Sequence, residues 1–232
     1  MQHRSKKIKK SFFIILVVLI VLSGGSAIYL GNYYHSVDVE KYMNGSSEVS
    51  VEKFDKGWFF DGAGEEKALI FYPGAKVATE AYAPLMYQLA ESGIDCFLVD
   101  MPFHMAFFGM NRAEEIMQEY NYEAWYLGGH SLGGAMAANF AADYVEDHTD
   151  GIRGLLLLAA YPTKDLSTSD MSVVTVYGSE DGVLNMDKIV AGRELMPQDY
   201  KEVCIEGGNH AQFGSYGTQK GDGTAAIPAE EQ

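Results

Sequence analysis

The residues best suited to chemistry in this chain form the pentapeptide Gly129-His130-Ser131-Leu132-Gly133. An apolar run precedes it and a run of small, helix-forming residues follows it, which predicts a tight turn from a strand into a helix. Glycines on both sides leave room for such a turn, and the serine at its centre would be strained and raised above the edge of a sheet. The helix N-terminus beside it favours negative charge, so the hydroxyl could act as a nucleophile. A glycine-rich turn without catalytic function is the simpler alternative.

A serine nucleophile needs a base, and the base needs an acid that orients it. Two histidines follow Ser131 in the chain. His148 lies in the charged run EDHTD at a predicted helix end, which is typical of a solvated residue, whereas His210 follows the last predicted strand and is our candidate base. The acid is expected after the preceding strand, where Glu180 and Asp181 are adjacent and only one of them can point at the imidazole.

The elements that must position these residues alternate between strand and helix patterns with short connections, as a βαβ architecture requires. After an extended run over residues 49–62, the predicted strands are residues 68–72, 94–100, 123–128, 154–161, 172–177 and 202–205, and the predicted helices are residues 79–92, 112–120, 135–145 and 186–196. The strands are almost continuously apolar. This pattern indicates a mostly parallel sheet that is covered on both faces.

With these residues in order, the chain resembles the α/β-hydrolase superfamily, and within it the small lidless branch that includes dienelactone-hydrolase-like proteins. The resemblance covers residues 50–228 and rests on the stretches GHSLGG, FYPGAKV, LVDMPF, YGSEDGV and EGGNHAQFG. It implies an α/β-hydrolase fold with a mostly parallel central sheet and helices on both faces. Only residues 162–171 separate two strands where larger relatives insert a cap, so no lid domain is expected. The G-x-x-D-x-V spacing of the family selects Asp181 as the acid.

The resemblance also implies an oxyanion hole. The family places one donor in the loop that matches Pro73-Gly74-Ala75 here, so the expected donors are the N–H groups of Ala75 and Leu132, with Lys76 as the alternative one residue further on. Each such donor contributes about 3 kcal/mol in comparable sites.

Two features depart from this family. Ser131 stands where dienelactone hydrolases have cysteine, so lactone specificity is not implied. The final helix of the family is represented only by residues 227–232, which resemble its first turn, and the sequence therefore predicts a truncated C-terminal helix.

The segment after the second predicted parallel strand, MPFHMAFFGMNRA, leaves the same sheet edge as Ser131. Phe103, Phe107 and Phe108, together with Lys76, are candidates for the wall of a substrate pocket. The alternative is that the phenylalanines only pack beneath their own loop.

The N-terminal sequence predicts a membrane anchor. Residues 1–10 carry five Lys or Arg and no acid, and the 19 residues from 12 to 30 carry no charge. A helix of that length spans roughly 28 Å, close to the thickness of a bilayer core. We therefore expect a cytoplasmic basic segment (1–10), a single-pass signal-anchor (11–31) and an external body. The alternative is a signal peptide cleaved at Gly25-Ser26-Ala27, which would give a secreted protein.

The remainder of the 232-residue chain is expected to form a polar stalk over residues 32–48 and one α/β-hydrolase domain over residues 49–232. Extended, such a stalk could reach roughly 55 Å. The 222 residues after the tenth hold 12 basic and 32 acidic groups, a net charge of −20, which argues against nucleic acid as a partner. No Cys/His cluster has metal-site spacing, and neither a cofactor nor a metal is expected. Cys96 and Cys204 are expected to be free, buried thiols.

These patterns predict a membrane-anchored, extracytoplasmic serine hydrolase that acts on a small-molecule acyl substrate: an ester, a thioester or an amide. Two alternatives remain from the sequence alone. One is a catalytically silent binding or scaffold protein that kept the fold, and the other is a peptidase-like hydrolase.

Overall fold

The computed structural model describes residues 30–148 and 151–232, together with the single residues 16, 18 and 25. The basic segment 1–10 and nearly all of the predicted signal-anchor lie outside these described residues. Among the residues that are described, no helix combines the length and the apolar character needed to cross a bilayer. The chain divides into two units, Met1–Tyr33 and Tyr34–Gln232, and the second carries every candidate site residue.

An eight-stranded sheet forms the centre of the second unit, in the order β1-β2-β4-β3-β5-β6-β7-β8. The strands are β1 Ser50–Phe54, β2 Gly57–Asp61, β3 Lys67–Tyr72, β4 Asp95–Val99, β5 Ala124–His130, β6 Ile152–Leu158, β7 Ser172–Gly178 and β8 Tyr200–Ile205. The hairpin β1–β2 is antiparallel and lies antiparallel to β4. All other neighbouring strands are parallel. The mostly parallel sheet predicted from the apolar runs is therefore confirmed.

The helices are α1 Glu40–Met43, α2 Ala83–Glu91, α3 Arg112–Glu119, α4 Leu132–Asp147 and α5 Met186–Gly192. Short 3₁₀ turns occupy Thr79–Tyr82, Pro102–His104, Ala106–Phe108, Arg193–Leu195 and Ala211–Phe213. Two predicted helices are thus shorter than expected. The one predicted over residues 79–92 starts with a 3₁₀ turn, and the one predicted over 186–196 ends with one.

Two separate cores lie on the two faces of the sheet, because alternate side chains of a strand point in opposite directions. In β3, Ile70 belongs to one core and Phe71 to the other. Buried side chains of α3 and α4 complete the first core, and those of α2 complete the second. Helices therefore cover both faces, as the sequence predicts. The connection from β6 to β7, residues 159–171, contains neither a helix nor a strand.

The segment predicted as a stalk differs from expectation. From Tyr34 onwards it lies on the folded body: Tyr34 N–H donates to the Lys76 carbonyl at 2.7 Å and the Tyr34 carbonyl accepts from Ala78 N–H at 2.8 Å. Val39 and Val49 are buried in the core on the α2 side of the sheet. A few apolar side chains without a regular period thus suffice to hold the segment against the body.

The two cysteines are both free, but only Cys96 is buried. The expectation of a buried thiol is wrong for Cys204, which is exposed. Its strand, β8, is the last of the sheet, so its side chains are only partly covered.

Candidate active site

Ser131 lies between β5 and α4 in a conformation that side chains rarely adopt, with φ 53° and ψ −123°. Its own N–H donates to the Leu158 carbonyl of β6 at 2.9 Å, and its carbonyl accepts from Ala135 N–H at 3.1 Å. Backbone strain of this kind persists only where the surrounding structure imposes it. The turn holds Ser131 at the carboxyl edge of the parallel sheet.

The glycines of the pentapeptide are sterically required. A Cβ atom on Gly129 would lie 2.6 Å from the backbone of both Gly133 and Gly134. One on Gly133 would lie 2.1 Å from the Tyr72 carbonyl oxygen. The close approach of α4 to the end of β3 and β5 therefore depends on two positions without side chains.

Asp181 and His210 are in direct contact. The distance from His210 Nδ1 to Asp181 Oδ2 is 2.8 Å, and both side chains are only 1% exposed. The other carboxylate oxygen accepts from the N–H groups of Val183 and Leu184, at 2.9 and 2.8 Å. Glu180, the other acid that the sequence allows, is exposed. The structure thus brings His210 together with Asp181 and not with Glu180.

The second imidazole nitrogen of His210, Nε2, does not form a hydrogen bond with the Ser131 hydroxyl in this structure. Because the Asp181 carboxylate accepts from Nδ1–H, the neutral ring leaves Nε2 unprotonated. Nε2 is buried and forms no hydrogen bond within the described part of the chain. The ring lies against that of His130, with centroids 4.4 Å apart, and His130 directly precedes Ser131. The base candidate is therefore at the serine turn.

The predicted oxyanion donors lie at this same edge. Leu132 is the first residue of α4, where N–H groups have no partner within the helix. The Ala75 N–H makes no hydrogen bond to another described residue. The alternative prediction, that the Lys76 N–H is an oxyanion donor, is wrong, because this N–H donates to the His104 carbonyl at 2.7 Å.

A buried tyrosine–histidine pair, which the sequence analysis missed, connects these two loops. The hydroxyl oxygen of Tyr82 accepts from Gly74 N–H at 3.0 Å and lies 2.8 Å from Nδ1 of His130. Burial, and the nearby imidazole of His210, lower the pKa of His130 well below its usual value, while burial raises the pKa of Tyr82. The pair is therefore neutral and links the loop that carries Ala75 to the turn that carries Ser131.

A second carboxylate, Asp222, was also missed. It accepts from the N–H groups of Gly182 (3.1 Å), His210 (3.2 Å), Ala211 (2.8 Å) and Gly223 (2.8 Å). Asp222 thereby joins the loop of Asp181 to the loop of His210. Its only signal in the sequence is its position between two glycines, which is typical of any turn.

The C-terminal residues support the histidine loop as well. Gln232 accepts from Asn209 N–H at 2.8 Å and donates to the Asn209 carbonyl at 2.7 Å. Residues 227–232, expected as the first turn of a final helix, instead form a non-helical turn in which Glu231 N–H donates to the Pro228 carbonyl.

Phe103, Phe107 and Phe108 are 58%, 68% and 54% exposed, so these side chains do not pack beneath their loop. Their rings contact one another, with centroids 5.7 Å apart for Phe103 and Phe108 and 5.4 Å for Phe107 and Phe108. Lys76, the other candidate for the pocket wall, is half-buried beside His104. Their role in a substrate pocket stays a prediction.

In residues 30–148 and 151–232, no three His, Cys, Asp or Glu side chains are placed to bind a metal ion together.

The chain is similar to a known protein family and to several solved structures. The model of the alpha/beta hydrolase family matches residues 68–232. Among solved structures, the chain is similar to dienelactone hydrolase from Anabaena variabilis, with 13% identity and a TM-score of 0.56 over 71% of this chain and 89% of that one. It is similar to carboxyl esterase 2 from Tuber melanosporum, with 13% identity and a TM-score of 0.58 over 78% and 82% of the two chains.

A Pyrobaculum calidifontis esterase is similar as well, with 15% identity and a TM-score of 0.56 over 74% of this chain and 80% of that one. A search of curated protein sequences gave no significant match. At these identities the structural similarity describes the fold alone.

Proposed function

Because the chain belongs to the α/β-hydrolase family, we propose that it is a serine hydrolase that cleaves a small ester, thioester or amide. The observation that carries this proposal is the buried hydrogen bond between His210 and Asp181 at the same sheet edge as the strained Ser131. A catalytically silent scaffold has no need of this arrangement. Similar structures that are esterases favour an ester among the three substrate classes.

In the proposed reaction, Ser131 Oγ attacks the substrate carbonyl carbon while His210 Nε2 takes the hydroxyl proton. The negative charge that develops on the carbonyl oxygen is stabilised by the N–H groups of Ala75 and Leu132. Asp181 keeps the imidazole in the required tautomer and stabilises its protonated form.

Collapse of the tetrahedral intermediate breaks the bond to the alcohol, thiol or amine, which leaves with the proton from His210. The acyl group is then an ester of Ser131. Water attacks this ester, gives its proton to Nε2, and the acid product leaves as Ser131 regains its proton. No step requires a cofactor or a metal ion.

We also propose where the reaction takes place. The charge-free segment from residue 12 to residue 30, with five basic residues before it, favours an uncleaved anchor with the body outside the cytoplasmic membrane. Cleavage after residue 27 would instead release the body. Subcellular fractionation with N-terminal sequencing separates the two: an anchored protein sediments with membranes and keeps its first residues.

A fluorophosphonate probe tests the chemistry, because it reacts with activated serine hydroxyls. We expect the full-length protein to be labelled on Ser131 and the Ser131→Ala variant to remain unlabelled. Ser167→Ala is the matched control, since Ser167 is an exposed serine on the β6–β7 connection and its loss should leave labelling intact.

Equal labelling of the wild type and the Ser131→Ala variant would contradict the proposed nucleophile. A folded wild type that is never labelled would favour a silent scaffold. A series of p-nitrophenyl esters of increasing chain length would then define the acyl preference.

A further inference from the structure

The three exposed phenylalanines form a surface that we call the aromatic rim: Phe103, Phe107 and Phe108. Among the described residues, every other phenylalanine is half-buried or buried. Clustered exposed apolar side chains mark an interaction surface more often than scattered ones do. The rim follows β4 at the carboxyl edge of the sheet, the edge that also carries Ser131.

The rim is connected to the oxyanion loop and to the N-terminal end of the folded body. Lys76 lies between them: its N–H donates to the His104 carbonyl and its carbonyl accepts from Tyr34 N–H, both at 2.7 Å. His104 is the neighbour of Phe103 in the chain. Two backbone hydrogen bonds therefore link Tyr34 through Lys76 to His104, next to the rim, and Lys76 is the chain neighbour of the proposed donor Ala75.

The length of chain before Tyr34 limits how far the body can stand from a membrane. The apolar segment ends at residue 30, and only residues 31–33 separate it from Tyr34. Four Cα-to-Cα steps reach at most about 14 Å. A polar headgroup layer is itself about 6 Å thick on each side of the bilayer core. In an anchored chain, at most about 14 Å of extended backbone therefore lies between the last apolar residue and Tyr34, and no long stalk intervenes.

We propose that the aromatic rim docks into the outer interface of the bilayer in which the chain is anchored, so that the sheet edge that carries Ser131 faces lipid. This inference rests on the anchoring proposed above. The partner is a phospholipid surface, and acyl substrates dissolved in its outer leaflet are the class that reaches Ser131 directly. Apolar contact drives the docking, because a body with a net charge of −20 is repelled by anionic headgroups. The tether supplies a high effective concentration, so a small rim suffices.

The test places one fluorescent probe on the rim and a matched probe on the opposite side of the body. The full-length chain carries Cys204→Ser, which removes the exposed thiol, while the remaining Cys96 is buried and its burial raises the pKa of its thiol. Phe107→Cys reports on the rim. Glu91→Cys is the control, because Glu91 is exposed at the end of α2, just before β4 enters the sheet at its amino edge.

Each variant is labelled with an environment-sensitive dye and reconstituted into phosphatidylcholine vesicles that contain a lipid nitroxide placed high in the acyl chain. We expect the nitroxide to quench the dye at position 107 several-fold more strongly than the dye at position 91. Phe108→Cys should behave as Phe107→Cys does, which guards against a local defect of one variant.

Equal quenching at positions 107 and 91 would overturn the proposal. So would a dye at position 107 that is shielded from aqueous iodide yet not quenched by the lipid nitroxide, since that pattern means a second copy of the chain covers the rim. Failure of the chain to float with vesicles would overturn the docking and the anchoring together. Labelling by fluorophosphonate in the same samples shows whether the hydrolase proposal stands independently.

Discussion

The two sides of the candidate active site are held in place differently. On the Ser131 side, close backbone packing fixes the conformation of the serine turn. On the His210 side, hydrogen bonds between residues that are distant in the sequence fix the positions of the loops. Gly129 and Gly133 bring α4 against the ends of β3 and β5, and the strained turn follows from that contact. Asp222 instead holds two loops through four backbone N–H groups. The Ser131 side is therefore sensitive to any side chain added at the two glycines. The His210 side is sensitive to the loss of a single carboxylate oxygen of Asp222.

The largest expected effect breaks the His210 side at its acid. Asp181→Asn should lower kcat about 10⁴-fold, because the amide favours the wrong imidazole tautomer. Glu180→Gln is the matched control: its exposed side chain makes no contact with His210, so kcat should stay within a few-fold of wild type. Ester hydrolysis by the two full-length variants provides the measurement, and the reverse ranking would mean that the acid is misassigned.

A smaller loss is expected from Asp222→Asn. The change leaves one acceptor oxygen where the carboxylate has two. If that oxygen keeps the place of Oδ1, which accepts from Gly182 and His210, the amide NH₂ faces the N–H of Ala211, which loses its acceptor Oδ2. A misplacement of about 1 Å costs on the order of 100-fold in rate. We expect kcat to fall about 10- to 100-fold and KM to change little.

Asp187→Asn provides the control for this prediction, since Asp187 is an exposed acid in the first turn of α5. If Asp222→Asn changes only the thermal stability, with kcat intact in the folded protein, Asp222 holds the fold and not the catalytic geometry.

The candidate active site also shows which of its residues could be predicted from the sequence and which could not. Ser131, Asp181 and His210 follow strand ends whose apolar runs are legible in the sequence, and short motifs accompany each of them. Tyr82, Asp222 and Gln232 have no such motif. Each acts through a partner loop far away in the chain, and local patterns do not report which loops meet.

The attachment of residues 34–48 to the body could not be predicted from the sequence, for a related reason. Residues 34–48 have no regular apolar period, and their attachment depends on backbone pairing of Tyr34 with Lys76 and Ala78. Backbone hydrogen bonds carry no side-chain signature, so the segment looked like a free stalk. The hairpin β1–β2 was likewise visible only as one extended run, because its turn is short.

Substitution of Tyr82 tests whether the buried Tyr82–His130 pair stabilises the Ser131 side of the site. Tyr82→Phe removes the hydroxyl oxygen that accepts from Gly74 N–H and contacts His130, which leaves two buried polar groups without a partner. Each such group costs about 1–3 kcal/mol. The free energy of unfolding, from urea titration of the full-length chain in mild detergent, should fall by at least about 1 kcal/mol.

Tyr87→Phe makes the same chemical change on α2, where the half-buried ring of Tyr87 packs edge-on against Tyr42. It should change the free energy of unfolding by less than about 0.5 kcal/mol. Equal effects of the two variants would mean that the buried pair does not hold the two loops together.

The smallest expected effect is a pH dependence of stability that comes from His130. Burial, with the His210 imidazole nearby, lowers the pKa of His130 well below its usual value, so the folded protein keeps this ring neutral. The unfolded chain instead takes up a proton as the pH falls through about 6.5, which favours unfolding. The free energy of unfolding should therefore fall below pH 6.5, by at most about 1.4 kcal/mol per pH unit. Glu202, whose pKa its ion pair with Arg193 lowers to about 2, contributes only at more acidic pH.

The His130→Gln variant should show a shallower decline between pH 6.5 and 5. Some slope should remain, because partial burial also lowers the pKa of His104. His148→Gln, at the exposed end of α4, is the matched control for a change from His to Gln. A slope that is identical in all three proteins would show that His130 takes up its proton without unfolding, and the buried neutral pair with Tyr82 would then be the wrong description of the Ser131 side.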